Sequence, residues 1–376
     1  MNETWWVDQG QLDGAQLTVL AEPPETEMLV VGPPGSGKTN ILMLRANYVR
    51  HVSPRTLFLT FTRTLCEFLR SSPNIGRTDQ IQKDEIQTCM NWSKKLIREL
   101  GSDPIEEDDF SKLRQGISQQ LNELLISEKV GKLIDVVFVD EVQDLTAIEL
   151  DNIRRVSKRI NAAGDSRQRI FDNRDGMPTI SGYVQKIVPL DKHYRVGENI
   201  CRFADQIYPP HEGEVSMLEG CNYPEEARPS IVETFSVHDK NEMYSACIDK
   251  IIEQVRYISD EPIGVLFTKN VLLDEFWEFL QLDGRLVGKS MRQRQHQYRP
   301  FNADNLVRAM TVYSAKGSEF RAVHMLMAED YRSAQKELAF TAATRAKTEL
   351  ALYCCTPLPG WLSPARTELP SIASLF

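Results

Sequence analysis

One octapeptide constrains this chain more than any other feature. Gly32-Pro-Pro-Gly-Ser-Gly-Lys-Thr39 stands directly after the apolar run Met28–Val31 and before a helical pattern. It satisfies G-x-x-x-x-G-K-[ST], the pattern of a phosphate-cradling loop. Gly32, Gly35 and Gly37 let the backbone turn so that successive N–H groups, with those around Ser36, point inward. The following helix adds the positive end of its dipole, Lys38 reaches the β- and γ-phosphates, and Thr39 ligates magnesium. The expected cofactors are therefore ATP and Mg2+.

A second feature completes such a site. Val136-Val-Phe-Val139 is an apolar strand that ends in Asp140 and Glu141. A carboxylate at that strand end stands beside the metal, and its neighbour can polarise the attacking water. Asp140 takes the first role and Glu141 the second. Around these motifs short apolar runs alternate with longer helical patterns, which predicts an α/β fold with parallel sheets. Strands are expected at Met28–Val31, Thr56–Thr60, Val136–Val139, Asn161–Ala163 and Ile187–Leu190. A second set is expected at Gly264–Phe267, Met310–Val312, His324–Met327 and Leu350–Tyr353, with helices over Val271–Leu282 and Ala334–Ala346. A length of 376 residues suits two domains. Residues 1–189 form the ATP-binding one, carrying a small helical insertion over 85–135, and residues 190–376 the other.

Composition limits the partners. A net charge of −9 leaves no overall basic footprint, so a nucleic acid has to meet a local basic groove. Lys289 to Arg299 is the exception: Lys289, Arg292, Arg294, His296 and Arg299 occur with no acid. That segment reads as a solvated loop or as a phosphate contact. Seven scattered cysteines without a C-x-x-C pair read as reduced thiols of a cytoplasmic protein. The N-terminus lacks a signal-peptide pattern, and no window approaches 18 apolar residues, so no membrane partner is expected.

Asp140-Glu-Val-Gln-Asp144 resembles the D-E-x-Q-D box of superfamily 1 DNA helicases of the UvrD/Rep/PcrA group. The resemblance extends over most of the chain in the family's order. Leu12–Leu20 is similar to the Q motif and would place Gln16 on the adenine edge. Thr60-Phe61-Thr62 resembles the strand-contacting T-F-T box. Gly164-Asp-Ser-Arg-Gln-Arg-Ile-Phe171 resembles G-D-x-x-Q-S-I-Y, which implies Gln168 as γ-phosphate sensor. His193-Tyr-Arg195 is similar to N-Y-R, with Tyr194 stacked on the base and Arg195 on the γ-phosphate. Thr311 to Phe320 resembles T-x-H-S-A-K-G-L-E-F, implying Gly317 and Glu319 at the nucleotide, Glu319 on the ribose, and Ser314 on the strand. Ala339 to Ala346 resembles the last motif, whose Arg345 would be an arginine finger.

The resemblance implies two RecA-like P-loop domains with Mg-ATP between them, and departures cluster on the strand side. Asn173 stands where a base-stacking Trp is expected, Thr88-Cys-Met90 replaces T-F-H, Tyr313 replaces a His, and Asn40 an Arg. Each base–aromatic stack is worth roughly 1–3 kcal/mol, so the grip on a strand is weakened. Phe61, Phe171 and Tyr313 remain as platforms, or as core rings. The short gaps before Asp140 and before Met310 leave no room for the family's large accessory subdomains. The expected function is a Mg-ATP-dependent, single-stranded-DNA translocase or helicase-like motor within a larger complex. By analogy its protein partner is a nuclease or other effector, as in phage defence. The alternative is a nucleotide-gated regulatory switch that hydrolyses ATP without translocating. Oligomeric state is left open.

Overall fold

The alternation of apolar runs and helices becomes two six-stranded parallel sheets. The computed structural model describes residues 9–72, 75–76, 80–171, 175–294 and 305–364. Contacts divide the chain into two compact units, Met1–Asp191 and Lys192–Phe376. Each is a RecA-like α/β domain, and neither carries a large accessory subdomain.

In the first unit the strands are β1 (Met28–Val31), β2 (Thr56–Thr60), β3 (Ile86–Thr88), β4 (Ile134–Val139), β5 (Ser157–Gly164) and β6 (Lys186–Pro189), ordered β3-β2-β4-β5-β1-β6. Every pairing is parallel; Leu29 of β1, for example, lies opposite Ala162 of β5 and Ile187 of β6. Because side chains alternate across a strand, successive residues feed two cores. Met28, Val30, Phe58 and Phe138 join helix Lys38–Arg50 on one face. Leu29, Leu57, Val137 and Val139 join helices Cys89–Glu99, Phe110–Ser127 and Ala147–Val156 on the other. A sheet covered on both faces needs strands that are apolar throughout, which is how β2 and β4 read.

The second unit holds β7 (Ile231–Ser236), β8 (Ile263–Phe267), β9 (Ser290–Gln293), β10 (Val307–Thr311), β11 (Phe320–Met325) and β12 (Ala346–Cys354), ordered β7-β12-β11-β8-β10-β9. Val265, Phe267, Ala309 and Tyr353 pack against Met243, Ile248, Phe276 and Leu280 of helices Lys240–Gln254 and Asn270–Asp283. His324 of β11 is fully buried, bonded to the Tyr353 hydroxyl at 2.9 Å and the Gln254 side-chain oxygen at 2.8 Å. Burial pushes its pKa down to about 3.

Three strands, β3, β7 and β9, lie outside the sequence expectation, and all three are sheet edges. Ile86–Thr88 opens the segment read as a helical insertion, yet it belongs to the sheet. Ser290–Gln293 replaces the expected loop in the basic segment. Arg292 and Arg294 each pair with Asp274 at 2.8 Å instead of standing free for phosphate. Arg299 and His296 lie outside the described residues. The expected helix Ala334–Ala346 shortens to Lys336–Ala343, because Ala346 already opens β12. No described helix is long and apolar enough to cross a membrane.

Candidate nucleotide site and strand-contact boxes

The phosphate loop leaves β1 and turns into helix Lys38–Arg50. Gly37 caps that helix at φ 81°, and Gly35 has φ 77°; both angles favour glycine. A Cβ on Gly37 would also meet the Gln16 amide at 2.8 Å, and one on Gly32 the Leu190 carbonyl at 2.7 Å. Lys38 Nζ donates to the Gly32 and Pro33 carbonyls at 2.8 and 2.9 Å, which holds the ammonium over the loop. Gln16 donates to the Ser36 carbonyl at 2.9 Å, while its Oε1 accepts from the Asp13 amide at 3.1 Å. The residue expected on an adenine edge is thus used at both ends of its amide, bracing the loop and capping its own helix.

Asp140 and Glu141 follow β4. Asp140 Oδ1 accepts from the Glu141 amide at 3.0 Å, while its buried Oδ2 has no hydrogen-bond partner among the described residues. Burial, then the charge of Glu141, pushes the Asp140 pKa up to about 7, against the opposing pull of Thr39 and Lys38. Glu141 itself is left-handed, φ 55° and ψ 43°, a conformation unusual for a non-glycine residue and common at functional turns. Gln143 donates to Glu141 Oε2 at 2.5 Å and accepts from the Asp165 amide at 3.1 Å. Asp165 Oδ2 in turn accepts from Gln168 Nε2 at 2.7 Å. One chain of bonds therefore joins the acidic turn to the Gly164–Phe171 box.

These residues fit Mg-ATP. Among the described residues Ser36 Oγ and Asp140 Oδ2 are buried oxygens without partners, and such groups are costly unless a ligand satisfies them. The Thr39 hydroxyl and the Asp140 carboxylate are hard oxygen donors, the set magnesium prefers. A divalent cation would also relieve the burial that now disfavours ionised Asp140.

The Thr60–Thr62 box is closed by contrast except at its first residue. Thr60 ends β2 with its hydroxyl buried and without a partner among the described residues. Thr62 accepts from the Leu65 amide at 3.1 Å and caps helix Arg63–Arg70. The Phe61 and Phe171 rings lie 4.6 Å apart and tilted by 51°, and the Arg114 guanidinium covers Phe61 at 4.5 Å. Asn173 lies outside the described residues.

In the second unit Arg195 is paired with Glu319 at 2.5 Å. Burial acts to raise Glu319, but the charges of Arg195, Lys347 and Arg345 outweigh it and hold its carboxyl below the ordinary glutamate range. Arg345 is buried, donating to the Thr341 and Ser318 carbonyls at 3.2 and 3.3 Å. The expected γ-phosphate arginine, ribose acid and arginine finger are thus each held within their own unit. Tyr194 is half-buried, and Gly317 takes φ 79° after the short helix Val312–Ala315. Ser314, in that helix, accepts from the Thr311 hydroxyl at 3.2 Å. Beside Tyr194, the side chains of His193, Cys201 and Cys221 bring possible metal ligands within 4.8 Å of one another. Each already has a backbone partner, Met217 O for the imidazole and Val196 O for both thiols.

Family comparison separates along the same division. Residues 16–173 match the AAA domain model, and residues 306–353 match the UvrD-like helicase C-terminal domain model. Together the two matches support a UvrD-like protein of the superfamily 1 helicase type. By type it is a P-loop ATPase. Among curated proteins, none matches this UvrD-like chain. A solved structure described as that of PRRSV helicase is 15% identical, covering 91% of this chain and 54% of that one, with a TM-score of 0.44. The chain spans about half the length of that helicase.

Three residues of this UvrD-like protein escaped the motif reading. Gln143 lies inside the acidic box, so its position was visible and its bridging partner was not. Arg45 is fully buried and donates to the carbonyls of Val19, Glu22, Pro23 and Thr26, tying the Gln16 segment to the phosphate-loop helix. Arg114 occupies the apolar stripe of its helix with Ile117, Leu121 and Leu125. An arginine on such a stripe is the sequence signal for both.

Proposed function

We propose that this UvrD-like protein is a Mg-ATP-dependent motor ATPase that is stimulated by single-stranded DNA and moves along it. The observation that carries the reading is the left-handed Glu141, oriented by Gln143 and standing beside a buried, half-satisfied Asp140. Such a turn holds a base where a single proton must be taken from water.

In this reading Gly32, Gly35, Ser36 and Gly37 cradle the phosphates, and Lys38 neutralises their charge. Thr39 and Asp140 hold magnesium, Glu141 accepts the proton from water, and Gln168 senses the γ-phosphate. Gln16 and Tyr194 serve the base, and Gly317 and Glu319 the sugar side. Arg195 and Arg345 supply positive charge to the transferring phosphoryl, which requires Arg195 to leave Glu319. Bound Mg-ATP supplies the phosphoanhydride whose cleavage drives motion. Thr60, Phe61, Thr62, Phe171 and Ser314 meet the strand. Partnership with a nuclease or effector, a cytoplasmic location and a role in phage defence rest on analogy with helicase subunits.

A second reading, the nucleotide-gated switch, is favoured by the inward packing of Phe61 on Phe171 and by Thr62 spent as a cap. ATP-driven displacement of streptavidin from an end-biotinylated single strand separates the two. The motor displaces it from one end only, without unwinding a blunt duplex; the switch hydrolyses ATP and displaces nothing.

A further inference from the structure

The Arg114 guanidinium touches three elements at once. It is 4% exposed, in helix Phe110–Ser127. Its Nε and Nη2 donate to Glu149 Oε1 and Oε2 at 2.5 and 2.6 Å, and Nη2 also donates to the Asp144 carbonyl at 3.0 Å. Its face lies 4.5 Å over Phe61, which in turn packs on Phe171. Nη1 is buried without an acceptor among the described residues.

A pair made only for stability would need Glu149 alone. Here the same rigid fork is also stacked on the T-F-T box and bonded to the last residue of the acidic turn. Asp144 closes that turn by donating its amide to the Glu141 carbonyl at 3.0 Å. The guanidinium is planar, so a shift of the Phe61 ring cannot be absorbed by one N–H without moving the others. A displacement at Phe61 is therefore delivered to the Asp144 carbonyl, and through the turn to the left-handed Glu141.

We propose that Arg114 is a positioning residue that couples occupancy of the Phe61–Phe171 platform to the placement of Glu141. This rests on the DNA-stimulated ATPase reading and adds to it a named route, through a helix that carries no recognised motif. Glu149 is held independently by the Thr146 amide and hydroxyl, at 2.9 and 3.1 Å, so its helix cap survives changes at Arg114.

The test uses the full chain, with phosphate release measured with and without saturating oligo-dT, well below each variant's melting midpoint. Arg114→Lys keeps a cation for Glu149 but loses the fork and the stack. Arg114→Met with Glu149→Gln removes both charges and keeps a side-chain acceptor for the Thr146 cap. In both, the ratio of stimulated to basal kcat should fall by about tenfold. Basal kcat and KM for ATP should stay within about twofold. A folded variant that keeps the wild-type ratio overturns the proposal, as does a uniform loss of basal and stimulated rates. A wild-type protein with no DNA stimulation is a different outcome, and it removes the motor reading together with this one.

Discussion

The ends of β1 and β2 are the same feature of the same sheet, and they are finished in opposite ways. After β1 and after β4, strands separated by β5, the chain leaves Ser36 Oγ and Asp140 Oδ2 buried and without hydrogen-bond partners among the described residues. After β2 only the Thr60 hydroxyl is left so, and the groups that follow are used internally: Thr62 caps a helix, and Phe61 is covered by Phe171 and Arg114. A region kept unsatisfied inside a marginally stable fold is bound to a ligand's chemistry. A region closed on itself can respond to a ligand only by rearranging. The first should therefore show its substitutions in catalysis and the second in stability and coupling.

Lys38→Ala gives the largest effect expected on the open side. Phosphate release should fall by about a hundredfold or more, since electrostatic stabilisation supplies most of phosphoryl-transfer catalysis. Near-normal turnover would remove the cradle assignment. Glu141→Gln comes next. It should lower kcat by about 10²–10⁴-fold while titration calorimetry finds Mg-ATP affinity unchanged, because the amide keeps the shape and loses the basicity. Loss of affinity along with turnover would instead make Glu141 a metal ligand.

Closed polar groups in the second unit sharpen the contrast through pH. His324 is satisfied by Tyr353 and Gln254 and is held neutral, its pKa about 3 against 6.5 in the unfolded chain. A depressed folded pKa contributes stability that is present above the unfolded value and lost as pH falls. Below pH 6.5 the unfolded state takes up the proton first, so stability should drop by about 1.4 kcal/mol per unit toward pH 3 from this group. Urea melts across that window should show a shallower slope in His324→Gln; an identical slope would contradict the burial argument.

The smallest effects compare two hydroxyls directly. Thr62→Ala should cost about 1 kcal/mol in denaturant melts, the worth of a helix cap. Ser36→Ala should cost none, because its oxygen is buried without a partner among the described residues. Equal losses at both positions would dissolve the distinction between the two strand ends.

The contrast also explains what the sequence disclosed. Interior strands β1, β2, β4 and β8 are apolar runs, visible because both faces are covered. The edges β3 and β9 are short, as in Ile86-Gln-Thr88 and Ser290-Met-Arg-Gln293, and β7 carries exposed residues, so they blend into loops. The phosphate cradle was legible for a related reason. Its working groups are contiguous in the chain, so spacing alone specifies them. Arg45 and Arg114 act through partners distant in sequence, as Gln143 does at Asp165, and only the fold brings Asp144 and Glu149 to Arg114. The Arg195–Glu319 pair shows the same limit, because the motifs assign each residue to a nucleotide and are silent about their mutual bond.

Phosphate release by the full chain at low salt, with and without single-stranded DNA, decides most directly whether this UvrD-like ATPase is gated by a strand. The rate should rise about tenfold or more on adding DNA. That gain should collapse as salt is raised, because strand phosphates are held by charges that release counterions. An equal rate with and without DNA at every salt concentration would contradict the motor reading and leave the nucleotide-gated switch in its place.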